Sequence, residues 1–90
     1  MLLFNTIVNM AQKSVRKRLA DALLYMHENF GEDEDHFLKV VLSREDYANI
    51  VGTATESAIR ILSQFKNEGL ISTIGKQIKI KNVEGLKRVE

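Results

Sequence analysis

The chain has 90 residues, no Cys, no Trp, no Pro and a formal net charge of +1. That length allows one domain, which buries only about 60–65% of its unfolded surface and so needs a compact core. The missing cysteines exclude disulfide staples, thiolate metal sites and cysteine nucleophiles, and 44% apolar residues are too many for a disordered chain.

Charge is unevenly spread. Residues 1–26 carry four basic groups (Lys13, Arg16, Lys17, Arg18) against Asp21 alone. Residues 27–46 carry seven acids against Lys39 and Arg44, and residues 53–90 seven basic groups against four acids. Basic ends around an acidic middle let one face bind a polyanion without a high net charge.

Residues 1–12 stand apart from 13–90, which read as the domain proper. Leu3, Ile7 and Met10 are spaced by four and three, as in the last turns of a coiled-coil seam. A short amphipathic helix folded back on its own domain is the alternative. The apolar start, broken by Asn5, Thr6 and Asn9, is too short for the roughly 20 residues that span a bilayer. It lacks the basic flank and cleavage site of a secretory signal, so a cytoplasmic location is expected.

Residues 14–30 predict an amphipathic helix with Val15, Leu19, Ala22, Leu23, Met26 and Phe30 as its stripe, Ser14 as N-cap and Gly31 as stop. An acidic loop, 31–36, and a β-rich run, 37–42, predict a loop and a strand. Ser43 starts a second helix, with Asp46 three residues on as a weak capping box and Tyr47, Ile50 and Val51 inside. Gly52 ends it. A third helix over about 54–68 places Ala58, Ile59, Leu62 and Phe65 inward, with one of the hydroxyls at its start as cap. Residues 70–73 and 77–81 predict a hairpin turning at Ile74-Gly75, and Asn82 caps a last helix at 83–89. This order is a mainly α winged helix-turn-helix: a three-helix core plus a small β-hairpin wing.

Such a fold sets the N-terminal end of its second motif helix at base edges. Here that end reads Thr53-Ala54-Thr55-Glu56-Ser57-Ala58-Ile59-Arg60. Glu56 and Arg60, at i and i+4, share a face; carboxylate suits cytosine N4 and guanidinium suits guanine O6 and N7. The plainer reading of the pair is an exposed ion pair worth a few tenths of a kcal/mol. Hydroxyls of Thr53, Thr55 and Ser57, with free helix-start amides, suit phosphate oxygens, and Lys76 sits at the wing tip.

The same residues carry a resemblance. Ser14 to Ile80 resembles the C-terminal DNA-binding domain of the Crp/Fnr (cyclic-AMP receptor protein type) transcription regulators. The matching runs are V-R-K-R-L-A-x-A-L-L at 15–24, L-S-R-E-D-Y-A-N-I-V-G at 42–52, E-S-A-I-R-I-L at 56–62, E-G-L-I at 68–71 and G-K-x-I at 75–78. The resemblance implies base reading by Thr55, Glu56 and Arg60, on a TGA-type half-site for the last two. It implies phosphate contact by Ser43, Arg44, Thr53, Ala54, Ser57, Gly75 and Lys76. Many members carry Arg or Ser where this chain has Thr55 and Ile59, so the resemblance carries over the Glu–Arg core and leaves the outer base preference open. It further implies double-stranded palindromic DNA as partner, a homodimer in the full-length protein, and an N-terminal sensor domain outside this chain that would hold any effector, such as a cyclic nucleotide. The chain then reads as a fragment or a stand-alone domain, with residues 1–12 the remnant of a dimerisation helix or a linker and Leu3, Ile7 and Met10 assigned to dimerisation.

No cofactor or metal is expected in the chain itself, and no membrane partner. His27 and His36 lack companions for a zinc site, Glu32 to Asp35 lack the loop pattern of a calcium site, and no catalytic set points to an enzyme. The rival class is a winged helix used for protein–protein contact, which would present exposed apolar residues on the third helix.

Overall fold

The computed structural model describes residues 13–90. The dimerisation residues Leu3, Ile7 and Met10, and the boundary at residue 12, lie outside them. The elements are α1 (Val15–Phe30), α2 (Arg44–Val51), α3 (Thr55–Asn67), β1 (Ile71–Ile74), β2 (Gln77–Ile80) and α4 (Val83–Lys87).

Ser14 Oγ accepts from the Lys17 N–H at 2.9 Å and starts α1. Gly31, at φ 76°, closes it, its N–H bonded to the His27 carbonyl. Leu19, Ala20, Leu23 and Met26 are buried, while Phe30 turns out to solvent and meets Tyr25 edge-on. At the other end, burial pushes the Asp21 carboxyl up, and the ammonium groups of Lys13 and Lys17 more than offset this and hold it below its ordinary value.

Residues 37–42 are not the expected strand. They form one isolated bridge, Glu32 with Leu38, and the Leu38 N–H reaches the Ile78 carbonyl at 2.7 Å. Asp33 Oδ1 accepts from the amides of Asp35 and Phe37, and His36 sits at φ 70°, so the chain curls before a ladder can start. Phe37 and Leu38 are buried in succession, which a strand with one buried face does not allow.

α2 begins with a complete capping box, stronger than the sequence promised. Ser43 Oγ accepts from the Asp46 N–H, and Asp46 Oδ2 accepts from the Ser43 N–H. Tyr47, Ala48 and Val51 face inward; Ile50 does not, being 59% exposed. Gly52 adopts the left-handed conformation (φ 71°, ψ 46°) that ends α2, and the Thr53 N–H returns to the Ala48 carbonyl. This turn carries the chain into α3, whose inner face is Ala58, Ile61, Leu62 and Phe65. The expected Ile59 is 47% exposed, and Ile61 takes its place.

β1 and β2 pair antiparallel from Ile71–Ile80 to Ile74–Gln77, so the turn is Gly75-Lys76, one residue later than expected. Gly75, at φ 58°, occupies the first turn position, where a tight hairpin demands positive φ. Asn82 Oδ1 caps α4, which ends at Lys87 rather than 89; Leu86 and Val89 are still buried. Tyr47, Phe65, Leu19, Leu23, Leu38, Ile71, Ile78 and Leu86 are the largest fully buried side chains. The resulting fold is the expected one, a three-helix core with a two-stranded wing.

Candidate nucleic-acid interface

α3 has two different faces. Around its axis, Glu56, Arg60, Ser63 and Asn67 fall together opposite the buried residues Ala58, Ile61, Leu62 and Phe65, at 100° per residue. All four are exposed. Ser63 and Asn67 were missed in the sequence, although steps of seven and eleven from Glu56 would have found them.

Glu56 and Arg60 do not pair with each other, and among the described residues neither has an ionic or hydrogen-bonding side-chain partner. The expected plain ion pair is therefore not formed, and both groups stand free in water.

The start of α3 is equally uncommitted. Its N-cap is Ala54, with no side-chain cap, so the expected hydroxyl cap is not made. The first intrahelical return is the Ala58 N–H to the Ala54 carbonyl at 3.1 Å, which leaves the amides of Thr55, Glu56 and Ser57 unpaired by the helix. The hydroxyls of Thr53, Thr55 and Ser57 make no hydrogen bond among the described residues. Thr55 is exposed, while Thr53 and Ser57 are half-buried. Glu56 in this first turn sits well with the helix dipole.

The C-terminal half is anchored. The Arg16 guanidinium donates to Gln64 Oε1 at 3.0 Å and to Glu68 Oε1, and its Cζ lies 4.9 Å from the centre of the Phe65 ring. One arginine of α1 thus fixes three residues at one end of α3.

The remaining expected contacts frame this helix. Ser43 Oγ is used as an acceptor in the capping box, and its hydroxyl hydrogen is left to donate. Arg44, at the start of α2, reaches the wing, where its Nη2 donates to the Gly75 carbonyl at 3.1 Å. Gly75 and Lys76 form the exposed hairpin tip. α2, α3 and the tip thus present Ser43, Thr55, Glu56, Arg60 and Lys76.

Of the exposed large apolar residues, Ile59 lies on α3 and Ile74 at the hairpin tip, while Tyr25, Phe30, Val41 and Ile50 lie on neither. Ala22, Tyr25, Met26, Phe30, Val40, Leu42 and Ile50 line a groove that draws nothing from α3 or the hairpin. Among the described residues no cluster of three or more potential metal ligands occurs, and no helix is long and apolar enough to cross a membrane.

A capped helix, a glycine turn, a polar second helix with a free start and a hairpin beside it define a winged helix-turn-helix of the DNA-binding kind. Residues 17–89 match the Crp-like helix-turn-helix domain, and the chain belongs to that family. It is 31% identical over 86 residues to the CRP-like cAMP-activated global transcriptional regulator of Mycobacterium tuberculosis, matching 93% of this chain and 38% of that protein. Its fold is similar to that of FixK2 from Bradyrhizobium japonicum, with a TM-score of 0.76 and 26% identity over 88% of this chain and 39% of that one. A putative Crp/Fnr-family regulator from Eubacterium rectale is similar at a TM-score of 0.75 and 31% identity, over 90% of this chain and 35% of that one. The chain thus spans well under half the length of these relatives, and the likeness is to their DNA-binding part.

Proposed function

We propose that this chain is the DNA-reading module of a bacterial Crp/Fnr-type regulator that acts in the cytoplasm and lays α3 in the major groove of a palindromic site. The observation that carries the reading is the Glu56–Arg60 pair: one turn apart, exposed and free of each other. Arg60 donates two bonds to guanine O6 and N7, and Glu56 accepts from cytosine N4. Thr55 reaches the adjoining base edge. The free amides at the start of α3, with Thr53, Ala54 and Ser57, take phosphate oxygens, as helix starts do. Ser43 and the Gly75-Lys76 tip grip the backbone on either side.

In the whole regulator two such modules read half-sites about one helical turn apart, and Leu3, Ile7 and Met10 are the residues we assign to pairing. Effector control, exercised by cAMP in the Mycobacterium tuberculosis relative by its name, belongs to a sensor region that this chain does not match.

The test is fluorescence anisotropy of this chain against a labelled duplex with a TGA-type palindrome, beside a scrambled duplex and a salt series. Preference for the palindrome that is lost in Glu56→Ala is the expected result. Equal and steeply salt-dependent binding to both duplexes would contradict base reading. No binding even at low salt would favour a protein–protein role.

A further inference from the structure

Arg44 does not sit as a phosphate ligand sits. The Arg44 guanidinium instead turns back onto the protein. Its Nη2 donates to the Gly75 carbonyl, 31 residues away at the wing tip. Its Nη1 is sealed from solvent and meets no acceptor. The side chain lines a cleft of about 220 Å³ between α3 and the wing, with Ile59, Leu62, Ser63 and Lys66 on one wall and Thr73 of β1 on the other. One of its three nitrogens is therefore shut off from a phosphate, and a second has one of its two hydrogens committed to the wing.

The wing needs such a support. It is a two-stranded hairpin with four residue pairs, and isolated two-stranded hairpins are marginal in water. The side chains that tie it to the core, Ile71, Ile78 and Ile80, stop one residue pair short of the turn, while Ile74, Gly75 and Lys76 at the tip are exposed. Arg44 is the first residue of α2, fixed by the Ser43 capping box immediately before it. It joins a rigid helix start to a hairpin tip.

Building on the DNA-reading function above, we infer that Arg44 is a positioning residue: a strut that sets the height of the wing tip against α2 and α3, and so delivers Lys76 to the backbone. Arg44 acts through Lys76 and does not itself neutralise a phosphate.

The two roles give different salt arithmetic. One phosphate contact contributes about 0.9 to the slope of log K against log salt, or about 3.5-fold in affinity between 50 and 200 mM salt. A strut makes the two residues one unit. Arg44→Met, Lys76→Ala and the double variant should each lower the slope by about one, with less than a 2-fold further loss of affinity on combining them. A double variant whose slope falls by about two, with multiplicative losses, would overturn the strut and make Arg44 a second ligand.

A second arm needs no DNA. In the free domain, amide ¹⁵N relaxation at Gly75 and Lys76 should show raised ps–ns mobility in Arg44→Met, while α3 keeps its resonances. An unchanged tip would overturn the inference. Arg44→Gln serves the same comparison should the Met variant fold poorly. A domain that binds no duplex at all would defeat the proposed function and leave the relaxation arm to decide the strut.

Discussion

The two ends of α3 are built on opposite terms. At the C-terminal end, Arg16 bonds Gln64 and Glu68 and lies over Phe65, so charged and polar groups there are spent within the molecule. At the N-terminal end the cap is an alanine and Glu56 and Arg60 are unpaired. The neighbouring α2 shows that the chain can cap a helix fully, with Ser43 and Asp46 bonded reciprocally. An N-cap alanine forgoes about 0.5–2 kcal/mol relative to Ser, Thr, Asp or Asn. Stability is withheld at the end that we propose meets DNA, and supplied where the helix must only be held still.

The sharpest way to break this contrast is Arg60→Ala. It should cost about 1–3 kcal/mol in binding to the preferred duplex and relax base choice at one position, with the melting temperature unchanged. Anisotropy on a panel of single-base variants checks it. Arg16→Ala should do the reverse. Loss of a cation–π contact and an ion pair should lower folding stability by about 1 kcal/mol in urea titration, with base preference retained.

Ala54→Asp brings both properties into one residue. A carboxylate cap should stabilise α3 by about 1 kcal/mol and weaken duplex binding, because it places an anion where phosphate would sit. Stabilisation with unchanged binding would show that the free start is not used.

The smallest effect concerns α2. Burial pushes the Tyr47 hydroxyl up from 10.0 to about 12, only partly countered by the nearby Arg44 charge. The neutral form is the one the core accepts. Its contribution to stability is therefore complete below the unfolded pKa and is lost as pH rises from about 10 to about 12. Tyr47→Phe should flatten the fall in melting temperature over that range.

Much of this was legible in the sequence because it is local. The α1 stripe, the Gly52 turn and the alternation at Ile78 and Ile80 are each set within a few residues. The shared exposed face of Glu56 and Arg60 was legible for the same reason. Residues 37–42 were not: Val40, Val41 and their neighbours have strand composition, yet the Asp33 turn and the consecutive burial of Phe37 and Leu38 decide against a strand. Ile50 and Ile59 were placed inside although each lies about 100° from the centre of its helix's buried stripe, close enough for composition to mislead. Arg16 with Gln64 and Arg44 with Gly75 were out of reach, because partners 48 and 31 residues apart leave no periodic trace.

The most direct measurement is an amide chemical-shift map of the ¹⁵N-labelled domain titrated with the palindromic duplex. Shifts concentrated at Ala54 to Arg60, at Ser43 and at Gly75-Lys76, with the residues around Tyr25, Phe30 and Ile50 unmoved, are the expected result. A footprint on that apolar groove, with the start of α3 silent, would contradict the claim that α3 was left free to read DNA.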